Sequence, residues 1–215
     1  MTATAPTLDR LLRPRSIAIV GVSEGRSMGR VVLMNLQRFA FKGEIHLVSR
    51  SSTQVEGLAC VASLDEVPDG VDVAVLAIPA AGMLAAVEQC GRKRFGAVVV
   101  FASGYAETGE AGRAQQLLLT DAARRAGLLL VGPNSMGLTN YADGVPLTFE
   151  SVQPLRGSAG QGIALLSQSG AMANNMRDAF GSRQLRVSYS VGTGNEAGLC
   201  IEDYLAHVIA DTRTG

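Results

Sequence analysis

The 215-residue sequence predicts an α/β protein with a doubly wound parallel sheet, followed by the first part of a second α/β unit. Three observations carry this expectation. Short apolar runs alternate with longer segments of helical spacing. The runs are rich in Val, Ile, Leu and Ala with little polar alternation, as in strands buried on both faces. Loops rich in Gly, Ser and Pro follow the runs, at the carboxyl ends where such sheets hold ligands.

The strands expected in the first unit are Ser16–Val20, Glu44–Val48, 71–77, 97–101 and 128–131. Between them, Val32, Leu33, Leu36 and Phe39 fall on one helical face. Met83, Leu84, Val87 and Cys90 do so within 80–94, and Ala114, Leu117, Leu118 and Ala122 within 106–125. After Val131, "GPNSMGLTNYADGVPLTFE" reads as turn-rich and "SVQPLRGSAGQG" as a linker. Strand–turn–helix then resumes with "IALL", "SQSG" and a helix over 171–180. A strand over 186–191 runs into "GTGNEAG", and a last helix places Ile201, Leu205, Val208 and Ile209 on one face. Two parallel strands cannot cover their own faces, so the chain is expected to stop inside this second unit.

Composition narrows the partners. A hydrophobic fraction of 47% against 18% charged residues supports a sizeable core. Zero formal net charge argues against a dedicated nucleic-acid or membrane-surface binder. No apolar run reaches the length of a membrane span, and the N-terminus shows no secretory h-region. Cys60, Cys90 and Cys200 are scattered and lack metal-ligand spacing, which predicts reduced thiols in a cytoplasmic protein and no metal site. The sequence leaves a homo-oligomer open.

The loop "GVSEGRSMG" follows the first strand and opens a helix. Free N–H groups at a helix start favour an anion, and glycine lets a phosphate approach the backbone. Its G-x-x-x-G-x-x-x-G spacing is neither the dinucleotide fingerprint nor a P-loop. A NAD-binding fold would end its second strand with Asp or Glu on the ribose. Here that end reads "HLVSRSS", and Arg50 flanked by Ser49, Ser51 and Ser52 suits a ribose phosphate. NADP and coenzyme A both carry one. The loops "AIPAAG", "FASGYAE" and "GPNSMG" supply no pair suited to hydride transfer, which leans away from a dehydrogenase.

Taken in order, "SIAIVGVSEGRSMGRVVLMNL", "GEIHLVS", "DVAVLAIPA", "GAVVVFASGYAETGEAG", "VGPNSMGLTN" and "IALLSQSGAMA" resemble the NDP-forming acyl-CoA synthetases. These are the ADP-forming acetyl-CoA synthetase type, relatives of the succinyl-CoA synthetase α subunit. The resemblance runs from about Leu8 to the end. It implies a Rossmann-like CoA-binding domain over 8–148, a linker over 149–161, and over 162–215 part of a flavodoxin-like ligase domain. It also implies CoA contacts at Gly21, Ser23, Ser27, Met28 and Gly29, and at Ser49 and Arg50, where many members have Asn-Pro. Ile78, Pro79, Ala80, Ser103 and Gly104 would line the same groove, with Asn134 near the thiol end. Ser167, Gln168, Ser169 and Gly170 match a helix start that faces a phosphorylated histidine in the family.

Neither His46 nor His207 matches that histidine's motif, so no catalytic residue is expected in this chain. The family's ATP-grasp domain is expected on another segment or subunit. ATP and Mg2+ belong to the complete enzyme, and a carboxylic acid is its other substrate. The chain alone is expected to bind CoA without completing the cycle. Two other readings stay open: an NADP-binding oxidoreductase domain, and a non-catalytic CoA-binding regulatory module.

Overall fold

The computed structural model describes residues 7–154 and 161–215. The expected linker falls partly on 155–160, outside the described residues.

Five parallel strands form the centre of the first sheet: β1 (Ser16–Val20), β2 (Glu44–Val48), β5 (Val73–Leu76), β6 (Ala97–Val100) and β7 (Leu129–Val131). A short hairpin, β3 (Gln54–Val55) and β4 (Leu58–Val61), adds to the β2 side and gives the order β3-β4-β2-β1-β5-β6-β7. Its turn is Glu56–Gly57, both with positive φ, the backbone a two-residue hairpin loop requires. The winding direction reverses between β1 and β5, which makes that gap the switch point where doubly wound sheets hold ligands.

Side-chain alternation assigns the faces. Ile17, Ile19, Val73 and Val75 point into one core with Leu33 and Leu36 of helix α2 (Met28–Arg38). Ala18, Val20, Ala74 and Leu76 point into the other, under α3 (Met83–Arg92) and α4 (Glu110–Ala126). A short helix α1 (Leu8–Leu12) buries Leu11 and Leu12 below the sheet.

Two helical stretches differ from expectation. Each opens with a 3₁₀ turn, Ala80–Gly82 and Ala106–Thr108, before the α-helix starts. In α4 the buried face is Gly112, Leu119, Ala122 and Ala123, while Leu117 and Leu118 are exposed. The cause is Gly112. It lies so close to the Tyr105 carbonyl that any side chain would collide, which fixes the rotation of the helix.

The largest difference lies in 132–150. The turn-rich reading missed a hairpin, β8 (Gly137–Asn140) and β9 (Val145–Thr148), fully buried along both strands. Pro146 argues against a strand interior, but β9 is an edge strand, where a missing N–H costs nothing. The hairpin joins β10 (Ile163–Ser167) and β11 (Val187–Gly192) in a second sheet of order β10-β11-β8-β9. Only β10 and β11 are parallel. Among the described residues the second sheet therefore has four strands, the two expected after the linker and two from the hairpin that precedes it.

Helices α5 (Gly170–Ser182) and α6 (Ile201–Ala210) belong to this unit. The buried face of α6 is Tyr204 and Val208, one turn apart, whereas Leu205 and Ile209 are exposed. After α6 the chain returns beside β10, where Gly162 N donates to Arg213 O (2.7 Å) and Gly215 N to Gly162 O (3.1 Å).

The two sheets share one core, since Leu138, Val145, Leu147, Tyr189 and Val191 pack with the β1 and α2 residues. Polar anchors reinforce the join. Asn35 of α2 donates to the carbonyls of Thr148 (3.0 Å) and Glu150 (2.7 Å) and accepts from Val152 N (3.3 Å). Asp143 and Asp211 bind Arg13 and Arg213, with Arg213–Asp143 at 2.7 Å and Arg213–Asp211 at 2.6 Å. Tyr189 donates to Asp211, and burial together with that carboxylate pushes its phenol up to about 12.

Candidate functional site

The glycine loop is shaped by contacts that only glycine allows. Gly21 has φ +93, and a side chain there would strike the Ala77 carbonyl at the end of β5. A Cβ on Gly29 would lie 2.9 Å from the Gly21 carbonyl oxygen. Both close approaches bring the start of α2 onto the switch point. Nothing lies within 4 Å of a Cβ at Gly25, so that glycine is not sterically required.

Ser27 caps α2. Its Oγ accepts from Arg30 N (3.2 Å) and from Ser23 N (3.3 Å). Both lone pairs are thereby used, and the hydroxyl proton stays available to an anion. The N–H groups of Met28 and Gly29 have no acceptor within the helix, as in any first turn. Arg30 reaches back to the Glu24 carbonyl and across to Glu56 (Nε–Oε1 2.7 Å), which ties the loop to the β3–β4 turn.

Two cavities open along the strand ends, and Ile78 lines both. One, about 360 Å3, runs from Gly21 past Arg50 to Ser63, Leu64 and Gln89. The other, about 490 Å3, runs from Ser27 and Met28 past Ile78, Pro79 and Ala80 to Ser103. Arg50 is exposed at the rim. Ser49 is buried, and its Oγ accepts from Ser52 N (3.1 Å), so it shapes the turn that presents Arg50. A third cavity of about 520 Å3 lies at the opposite ends of the strands, among Arg13, Phe39, Phe41 and Val145.

Gly104 and Asn134 lead from this groove to the second sheet. Gly104 N donates to Glu107 Oε1 (2.6 Å), and Asn134, at φ +56, donates through Nδ2 to Asn195 Oδ1 (3.3 Å). The Glu107 carboxyl lies below the usual carboxylate range. Burial opposes its charge, but the Asn195 amide and the N–H groups of Gly104 and Tyr105 outweigh that.

The "SQSG" loop sits beyond. Ser169 caps α5 by accepting from Met172 N (3.2 Å), and Ser167 Oγ accepts from Ser169 N (3.1 Å). Gly170 is in such close contact with Met136 that a side chain would displace it. Gln168 donates to Glu196 (2.7 Å), which also accepts from Thr193 Oγ1 (2.8 Å) and Ile201 N (3.1 Å). The structure thus brings Gly21, Ser23, Ser27, Met28, Gly29, Arg50, Ile78, Pro79, Ala80 and Ser103 around one groove. Gln168, Ser169 and Gly170 stand apart from it, across Asn134 and Met136.

Sequence reading missed Arg26, Ser63 and Gln89 on the cavity walls, and Glu107, Asn195 and Glu196 between the loops. Glu107 and Asn195 are 88 positions apart, and no local pattern pairs them. Neither histidine lines either groove cavity. His46 lies in β2 beside Glu44, and His207 packs edge-on against Tyr189. All three thiols are free, and burial pushes Cys90 up to about 12. Among the described residues no cluster of His, Cys, Asp or Glu could hold a metal ion, and no helix is long and apolar enough to cross a membrane.

A doubly wound sheet with a capped helix start at its switch point, and a cation after its second strand, defines a nucleotide-binding protein. Residues 15–141 match the family model for the CoA binding domain, and the chain belongs to that family. Residues 159–215 match the succinyl-CoA ligase like flavodoxin domain.

Among curated proteins, the chain is 41% identical over 211 residues to a trans-feruloyl-CoA synthase from an unidentified prokaryote, covering 96% of this chain and 30% of that one. It is 34% identical to acetate–CoA ligase (ADP-forming) I of Archaeoglobus fulgidus, with the same coverages of 96% and 30%. Identity to the alpha subunit of acetate–CoA ligase (ADP-forming) II of Pyrococcus furiosus is 30%, covering 96% and 44%. Acetyl-coenzyme A synthetase 1 of Candidatus Korarchaeum cryptofilum, solved with phosphate and ADP, superposes with a TM-score of 0.89 at 30% identity, covering 98% and 44%. The chain therefore spans between 30% and 44% of the length of these relatives, and the resemblance to NDP-forming acyl-CoA synthetases holds.

Proposed function

We propose that this chain is the CoA-binding part of an acid–CoA ligase that forms an acyl-CoA from a carboxylic acid, CoA and a nucleoside triphosphate. The observation that carries the reading is the pair of cavities that Ile78 lines in common, with a cation at one end and the loop to the second sheet at the other. The Met28 and Gly29 N–H groups and the Ser27 hydroxyl hold CoA phosphate. Arg50 takes the ribose 3′-phosphate. The thiol arm runs over Ile78, Pro79 and Ala80, past Ser103 and Gly104, to Asn134.

The domain division expected above, 8–148 and 162–215 joined by 149–161, gives each part a task. The first holds CoA. The second presents the Ser167–Gly170 helix start to a phosphoryl group, which the complete enzyme passes from the nucleotide through a histidine to the acid. The CoA thiolate then attacks the acyl carbonyl and inorganic phosphate leaves. This chain's contribution is positioning and charge stabilisation.

The histidine, the ATP-grasp part, ATP and Mg2+ lie elsewhere in that proposal, and this chain alone is inactive as a ligase. The protein works in the cytoplasm, with CoA and the acid as its small-molecule partners.

The basic end of β2 also suits NADP, so titration with CoA and NADPH side by side tests the reading. Saturable CoA binding is expected. Saturation by NADPH with no response to CoA would overturn it.

A further inference from the structure

One side chain in the turn after β11 holds the loops at the thiol end of the groove. Asn195 Nδ2 donates to Glu107 Oε2 (2.5 Å) and to Gln116 Oε1 (2.9 Å). Its Oδ1 accepts from Asn134 Nδ2 (3.3 Å), and its backbone N–H donates to Pro133 O (2.9 Å). Every polar atom of the side chain is engaged.

Its partners act in turn on the groove. The other oxygen of Glu107 accepts from Gly104 N (2.6 Å) and Tyr105 N (3.2 Å), and Gln116 Oε1 accepts from Ala106 N (3.3 Å). Three successive N–H groups of the loop after β6 are therefore held by side chains that Asn195 holds. Gly104 has φ +102, nothing lies within 4 Å of where its Cβ would stand, and Glu107 holds its N–H. Gly194 keeps the approach close, since a Cβ there would lie 2.5 Å from the Pro133 carbonyl oxygen.

We propose that Asn195, acting from the turn after β11 through Glu107 and Gln116, is a positioning residue for the thiol arm of CoA. It fixes Ser103–Gly104 and Asn134 together, the two places where the arm passes from one unit to the other. This rests on the CoA reading of the groove. The nucleotide end, around Arg50, Ser63 and Gln89, shares none of these bonds. Loss of Asn195 should thus weaken one half of the ligand and leave the other.

The experiment titrates wild type, Asn195→Ala, Glu107→Gln and the double variant with CoA and with adenosine 3′,5′-bisphosphate, which is the nucleotide end alone. Each single change is expected to weaken CoA about tenfold, as for loss of a charge-assisted hydrogen bond. The double should lose no more than the worse single, because both break one link. Adenosine 3′,5′-bisphosphate should bind all four alike. CoA binding unchanged in Asn195→Ala, or equal loss of both ligands, overturns the proposal. A wild-type chain that binds neither ligand overturns the CoA reading and this proposal with it. Should Asn195→Ala fail to fold, the near-isosteric and exposed Glu107→Gln carries the test.

Discussion

The Gly21 carbonyl oxygen lies 2.9 Å from where a Cβ on Gly29 would stand, so the glycine loop and the first turn of α2 are built against each other. Gly29→Ala must push them apart. It is expected to cost about 1–3 kcal/mol of stability, as overpacking does, and to weaken CoA binding. Gly25→Ala, in open space, should alter neither. Urea denaturation and CoA titration of both variants check this contrast.

Ser27 separates the cap from the ligand. Ser27→Ala removes the acceptor for Arg30 N and should cost about 1 kcal/mol. Ser27→Asp keeps a capping oxygen but places a negative charge at the proposed phosphate site. It should retain stability and lose CoA affinity. Equal CoA affinity in Ser27→Asp and wild type would remove the anion from this loop.

The Asp143–Asp211 cluster predicts acid sensitivity. Arg213 holds Asp211 well below the usual carboxylate range, and Asp143 is also lowered: burial opposes its charge, but Arg213 and Asn140 outweigh it. Folded values below unfolded ones mean that this stabilisation is present above the unfolded carboxylate range, about pH 4, and is lost as pH falls toward the folded values. Asp211→Asn should therefore cost about 2 kcal/mol at neutral pH and flatten the acid limb of the stability curve. Chemical denaturation across pH 3–7 measures both effects.

Neighbouring Leu118 and Leu119 on α4, one exposed and one buried, make a packing test. Leu119→Ala should cost about 3 kcal/mol, as a buried leucine does, and Leu118→Gln should change stability by less than about 0.5 kcal/mol. The reverse ranking would place the buried face where apolar spacing alone had put it.

That helix shows where sequence reading stops. Continuous apolar runs revealed the central parallel strands, because burial on both faces leaves a composition signal. The glycine loop was legible because close approach at Gly21 and Gly29 demands residues without side chains. The rotation of α4 depends on Gly112 meeting Tyr105, a tertiary contact that periodicity cannot express. The β8–β9 hairpin was hidden because Pro146 and the Gly, Asn and Thr of its strands mimic turn chemistry. The Glu56–Gly57 turn lacks the Asn-Gly or Asp-Gly signal of two-residue hairpins. In the site, the loops were readable but their cross-links were not. Ser49 Oγ accepts from Ser51 N and Ser52 N, a turn bond that its sequence neighbours do not announce.

The central claim is that CoA lies across the switch point with its 3′-phosphate on Arg50. Calorimetric titration of CoA and dephospho-CoA into wild type and Arg50→Ala tests it most directly. Wild type is expected to lose about tenfold in affinity without the 3′-phosphate, Arg50→Ala to lose a similar amount for CoA, and the variant no longer to distinguish the two ligands. Equal binding of CoA and dephospho-CoA by the wild-type chain would contradict it.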